Sequence, residues 1–181
     1  MSSSRIPFSV RDPIIVSDNA TTSKSYFMKA GITANYIIMT ATGNDILLTN
    51  TTERFNGINT NFGDWNNNVW VCPKTAIYNL NASLRLAGSS GDAIQKLFVK
   101  IAIMDSTGNV IRILNQGGID DARTVTSAAL RNWSINCFAM EQITTGEKIG
   151  LVMEWDVTTG GVIIQGGVSP DATFLTVERI I

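Results

Sequence analysis

Apolar and polar residues alternate along much of the chain after residue 46, which is the pattern of strands with one buried face. The clearest case is the segment 78–86, in which every second residue is apolar. Segments 133–138 and 148–157 repeat the alternation. These segments predict half-buried antiparallel strands.

One apolar run needs a choice between helix and strand. Residues 97–104 are apolar except for Lys100, and together with Ile94 they also fit the spacing of one helix face. A polar segment rich in turn-forming residues, 105–109, follows the run, and the apolar segment 110–114 returns from it. We therefore predict a strand and a hairpin at this point.

The predicted strands are short and are separated by turns rich in Gly, Asn and Asp, and no segment predicts a long helix. This combination is typical of an all-β sandwich or barrel. Residues 1–45 differ, because two short apolar pieces, 13–16 and 36–39, are separated by the polar stretch 17–25. We interpret residues 1–45 as an N-terminal arm with one or two strands. Residues 46–181 are predicted to form one domain.

The segment 70–80 resembles a strand-turn-strand motif of complement C1q-like domains. That family has an aromatic residue, then Cys-Pro, then Gly, Tyr and Phe at fixed steps. Four residues match the motif and two depart from it: Trp70, Cys72, Pro73 and Tyr78 match, whereas Ala76 replaces the glycine and Leu80 the phenylalanine. The segment 143–151 is similar to a second family motif, with Glu147 in place of Asp, and 173–177 is close to its last strand.

The resemblance to the C1q and tumour necrosis factor families covers roughly residues 46–181. It implies an antiparallel two-sheet jelly roll, and it implies a compact homotrimer in which neighbouring jelly rolls pack side by side. Six residues are expected to pack in the core between the sheets or along the trimer axis: Trp70, Tyr78, Leu80, Trp133, Trp155 and Phe174. Phe62 and Trp65, in an Asn- and Gly-containing segment, are the candidates for facing a ligand.

Composition excludes several classes of function. Histidine is absent from the sequence, so there is no His-containing triad, and no catalytic, cofactor-binding or metal-binding residue is predicted. A net charge of −1 argues against nucleic acid, and no window has the roughly 20 apolar residues of a membrane span. The acidic residues Asp105, Asp120, Asp121 and Asp171 lack calcium-loop spacing and are interpreted as solvated turn residues.

Two cysteines, Cys72 and Cys137, are interpreted as buried small side chains, although a disulfide in an oxidising compartment is the alternative. The first 13 residues contain Arg5 but no apolar stretch, so no Sec-type signal peptide is expected.

The function expected from these observations is that of a non-enzymatic virion protein. It would be a trimeric capsid decoration, head fibre or knob, and residues 1–45 would dock on other virion proteins. The alternative is a host-receptor or glycan-binding module on a phage tail tip or a bacterial cell surface. Both uses follow from fold-level analogy. A depolymerising enzyme is disfavoured, because nothing in the sequence sets two carboxylates in a cleft.

Overall fold

The computed structural model describes residues 27–32, 35–46, 55–59, 63–66, 69–88, 93–126, 133–166 and 173–180. Regular structure within these ranges consists of β-strands: β1 (Phe27–Ile32), β2 (Tyr36–Ile46), β3 (Phe55–Asn59), β4 (Asp64–Asn66), β5 (Val69–Val71), β6 (Ala76–Gly88), β7 (Ala93–Met104), β8 (Val110–Thr126), β9 (Trp133–Ile143), β10 (Lys148–Ile164) and β11 (Phe174–Arg179). In the same ranges, no helix has the length and apolar character needed to span a bilayer.

The strands pair antiparallel in two layers. Sheet I has the order β3-β1-β11-β6-β9. Sheet II has the order β2-β10-β7-β8, with the short β5 and β4 beside the start of β10. The far end of β10 also pairs with the far end of β6, so one ladder links the layers. Of the sandwich and the barrel that the alternation predicts, the structure is the sandwich, and its two antiparallel sheets confirm the architecture that the family resemblance implies.

The segment that also fitted a helix is a strand. Residues 97–104 lie in β7, paired with β10 on one side and β8 on the other, so the predicted strand and hairpin are confirmed. The turn at 105–109 is closed by main-chain bonds, with the Asp105 N–H donating to the Asn109 carbonyl and the Gly108 N–H to the Asp105 carbonyl. Gly108 has a φ of +90°, a left-handed conformation that favours glycine.

The core lies between the sheets, and the alternation of each strand decides which side chains enter it. Sheet I contributes the inward residues of β6 and β9, and sheet II contributes those of β7 and β10. The largest fully buried side chains are Trp70, Tyr78, Met28, Ile32, Leu80, Leu84 and Leu86. Trp70 and Tyr78 meet edge to face with their ring centroids 5.1 Å apart, a favourable aromatic arrangement.

The predicted arm overlaps the sandwich. Within residues 1–45, strand β1 lies between β3 and β11 in sheet I, and β2 lies along β10 in sheet II. Met28, Ala30 and Ile32 of β1 are buried in the core. Strands β1 and β2 thus belong to the sandwich, and residue 46, at which the domain was predicted to begin, is the last residue of β2. Residues 1–26 lie outside the described residues.

Candidate assembly surface

The outer face of sheet I carries apolar side chains that point away from the core. The registers place the side chains of this face in rows across the sheet. One row holds Phe27, Glu178, Asn79 and Met140, and the next holds Lys29, Thr176, Asn81 and Phe138. A flanking row contains Ile77 beside Gln142, with Ile180 bonded through its N–H to the Ile77 carbonyl.

Five of these residues are large, apolar and exposed, and we define them as the assembly face: Phe27, Ile77, Phe138, Met140 and Ile180. Phe138 is 68% exposed and Met140 65% exposed, although both lie within a regular strand. Single exposed apolar residues are common on soluble proteins, but a group of five on one sheet face is typical of an interaction site.

Few charges interrupt this face. Between the apolar residues lie Asn79, Asn81 and Thr176, and the Thr176 hydroxyl donates to the Asn81 carbonyl at 3.3 Å. Lys29, one of the charged residues in these rows, lies with its Nζ 4.8 Å from the centre of the Phe174 ring. Side chains of this kind are cheaper to desolvate than a field of unpaired charges, so the face is suited to burial.

Strand β8 extends the apolar surface around the edge of the sandwich. Ile111 is 65% exposed, and Val110 and Ile113 are exposed beside it. Arg112 lies among them and forms an ion pair with Glu141 of β9 at 3.2 Å. Both partners are well exposed, so the pair contributes little to stability, but it links the edge strands of the two sheets.

One end of the sandwich is held by a network of hydrogen bonds. The Cys72 N–H donates to the Glu147 carbonyl, and the Gly146 N–H donates to the Cys72 carbonyl. Thr75 and Thr145 exchange bonds, each main-chain N–H donating to the other hydroxyl. These bonds fix the β5–β6 connection against the β9–β10 turn, and they satisfy main-chain groups that strand pairing leaves free.

Tyr78 and Cys72 meet beneath this end. The Tyr78 hydroxyl donates to the Lys74 carbonyl at 2.5 Å, and the Cys72 thiol approaches the same oxygen at 3.1 Å. Burial raises the pKa of Tyr78 well above its ordinary range. Burial also raises the pKa of Cys72, because the thiolate would lose its hydration there. Both groups are therefore neutral and structural at physiological pH.

The two cysteines are free and buried. The Cys72 thiol lies 3.7 Å from the Ile143 carbonyl. Ile143 and Cys137 are separated along β9 by about 20 Å at roughly 3.4 Å per residue. Since a disulfide needs Cα atoms within about 7 Å, Cys72 and Cys137 do not bond to each other in this fold.

Of the residues expected to pack in the core or along a trimer axis, Trp70, Tyr78 and Leu80 are fully buried. Trp155 is half-buried and packs against the core cluster. Phe174 is half-buried on the outer face of sheet I, beneath Lys29. The side chain of Trp133 lies outside the described residues, although its backbone is in β9.

The residues proposed to face a ligand do not form a described site. Trp65 of β4 pairs in register with Trp70 of β5 and packs half-buried against the core. Gly63 precedes it with a φ of +78°, and a Cβ there would lie 2.4 Å from the Trp70 indole nitrogen. Phe62 lies outside the described residues.

Sequence analysis missed the most exposed residues, Ile111, Phe138 and Met140. A signal for two of them was present in β9. Four consecutive residues there are apolar, so both faces of the strand carry apolar side chains: Cys137, Phe138, Ala139 and Met140. Such a run is typical of a strand that is covered on both faces. The inward residues Ile135, Cys137 and Ala139 predict a core strand, but they carry no information about what covers Phe138 and Met140 on its other face.

Charged residues elsewhere are engaged in local structure. Asp105 accepts hydrogen bonds from Thr107 and Asn109, and these bonds hold the pKa of its carboxyl well below its ordinary value. Across β7 and β10, Glu154 bonds both Lys100 and Lys96, and the hydrogen bond from Lys100 is the largest cause of its lowered pKa. The described ranges contain no group of three His, Cys, Asp or Glu residues that could hold a metal ion.

No protein-family model matches the sequence, and no curated protein matches it. Solved structures do resemble the fold. Murine APRIL, in a crystal structure at pH 8.5, superposes with a TM-score of 0.53 at 10% identity, covering 85% of this chain and 99% of that chain. Eiger TNF from S. frugiperda gives a TM-score of 0.47 at 9% identity, covering 86% of this chain and 93% of that chain. The likeness to APRIL shows the fold, an antiparallel jelly roll of the TNF-like type.

Proposed function

We propose that this chain is a non-enzymatic structural protein whose jelly roll assembles into a homotrimer through the assembly face and β8. The observation that carries the proposal is the exposure of Phe138 and Met140 beside Ile77 on one regular sheet face. Removing these side chains from water is favourable, and a second copy of the chain offers surface of the same kind. The resemblance to C1q-like and TNF-like domains supports a closed ring of three copies.

The particle that we propose for this trimer is a virion, on which it would be a capsid decoration, head fibre or knob attached through its N-terminal segment. Support comes from the composition, because only 16% of residues are charged and 44% are hydrophobic, which suits a protein whose surfaces are covered by partners. The absence of histidine from the sequence supports a role without acid–base catalysis.

Sedimentation equilibrium over a range of concentrations tests the assembly. We expect a single species at three times the mass of the 19.6 kDa chain. A monomer that persists at high micromolar concentration would contradict the trimer. The virion role is tested separately, by mass spectrometry of purified particles from the source of the gene. Absence of the chain from those particles would refute the virion role and leave the trimer standing.

A further inference from the structure

Strands β8 and β9 are edge strands that face each other across the open side of the sandwich. Among the described strands, β8 pairs only with β7, and β9 pairs only with β6. A free strand edge presents main-chain N–H and C=O groups on which another chain can add a strand. Ile111 and Ile113 are exposed on β8. They increase the risk that another copy adds a strand there, because apolar strand edges favour open-ended polymers.

Two side-chain contacts and one close approach of the backbones hold these two edges together along a line that we call the seam. Arg112 forms an ion pair with Glu141, and the Asn115 amide bonds the Phe138 carbonyl. The backbone of Gly117 lies beside that of Asn136. Each step along β8 is matched by an equal step back along β9. The strands therefore run antiparallel in constant register, although the described residues show no main-chain ladder between them.

Asn115 occupies a main-chain acceptor of the β9 edge. Its side-chain Nδ2 donates to the Phe138 carbonyl at 2.5 Å. Its Oδ1 accepts from the Gln116 N–H at 2.8 Å, which fixes the orientation of the amide. The Phe138 carbonyl is thus engaged within the chain, at the residue whose side chain is the most exposed part of the assembly face.

Gly117 allows the two backbones to approach. A Cβ at this position would lie 2.1 Å from the Asn136 carbonyl oxygen and 3.0 Å from its carbon, closer than real Cβ atoms come to backbone. Any side chain would therefore have to push β8 and β9 apart. Cys137 lies directly beneath, with its Cα 3.6 Å from the same point.

We propose that Asn115 and Gly117 determine how the chain associates with copies of itself: by keeping the two edges together, they direct a second copy to the exposed side chains and prevent it from adding a strand. The inference rests on the self-assembly proposed above. Docking through side chains on faces can close into a ring, whereas pairing of the β8 edge of one copy with the β9 edge of the next is head-to-tail and can continue as an open polymer. The seam therefore selects a finite oligomer.

The test opens the seam by substitution. Gly117→Ala inserts a methyl group as a wedge, and Asn115→Ala releases the Phe138 carbonyl. We expect both variants to form thioflavin-positive polymers within a period in which the unsubstituted chain and a Gln116→Ala control remain clear. We also expect at least tenfold faster alkylation of Cys137, measured by peptide mass spectrometry, with Cys72 unchanged.

Two results would overturn the proposal. In the first, Gly117→Ala and Asn115→Ala form the same finite species as the control. In the second, Cys137 is alkylated faster in the variants but no polymer forms. If Gly117→Ala loses the β circular dichroism spectrum, Asn115→Ala decides by the same criteria, because it removes only one side-chain amide. Polymer formation and Cys137 alkylation are compared between each variant and the parent chain. A monomeric parent would therefore refute the trimer, whereas the seam would still be tested by whether the variants polymerise.

Discussion

Truncation of Phe138 tests the assembly face most directly. The side chain is 68% exposed, so Phe138→Ala removes few contacts within the chain. We expect the free energy of unfolding of the isolated chain to change by less than about 0.5 kcal/mol, as for most surface substitutions. Any large effect must then arise from association.

The magnitude follows from the area that remains to be buried. A large aromatic side chain buries about 200 Å² in total, so the exposed part of Phe138 corresponds to roughly 140 Å². At about 25 cal/mol per Å², complete coverage by a neighbour contributes at most about 3.5 kcal/mol. Summed over a trimer this is at most about 10 kcal/mol, and the midpoint of dissociation moves up by as much as several thousandfold in concentration.

The assay is sedimentation velocity across a dilution series of the parent, Phe138→Ala and two controls. Phe138→Leu retains most of the apolar area and should shift the midpoint by less than about tenfold. Phe98→Ala truncates an aromatic residue on the outer face of sheet II and should leave the midpoint of dissociation unchanged. If Phe138→Ala dissociates at the same concentration as the parent, the assembly face does not bind another copy.

Three further substitutions test the fold. Tyr78→Phe removes the hydroxyl that donates to the Lys74 carbonyl. It should lower the free energy of unfolding, measured by urea denaturation, by about 1 kcal/mol. An unchanged free energy of unfolding would contradict a stabilising role for that bond. Gly63→Ala should lower it by about 2 kcal/mol or more, because alanine is strained at a φ of +78° and its Cβ would strike Trp70. Asp105→Ala should lower the melting temperature at pH 7. Hydrogen bonds lower the pKa of Asp105 below its unfolded value of about 3.8. Its stabilising contribution is therefore complete above that value and is lost as the pH falls toward the lower folded pKa, so the difference from the parent should shrink only below about pH 4. A difference that is constant down to pH 2 would contradict this.

The sequence predicted the class of fold because the strands alternate strongly. Segment 78–86 lies within β6 and segment 148–157 lies within β10, since period-two burial follows directly from strand geometry. The place of β1 could not be predicted in this way, because its pairing with β11 joins distant parts of the chain. An isolated short apolar segment carries no information about its distant partner.

The assembly face was less predictable than the core for a related reason. Side chains such as Phe138 and Ile77 look like core residues in a sequence, and only the register shows that they share an outward face. The seam could not be predicted at all. Gly117 acts through its distance from Asn136, which depends on how two sheets are stacked, and not on any local pattern.

The pairing of β1 with β11 has a consequence for synthesis. Phe27 is opposite Glu178, so the interior of sheet I cannot be completed until the last strand has left the ribosome. Long sequence separation between partners also makes folding slow, since loop-closure entropy is lost before the contacts form. Sheet I therefore stays incomplete during translation, and until β11 emerges its apolar inner face is exposed to chaperones and to other nascent copies.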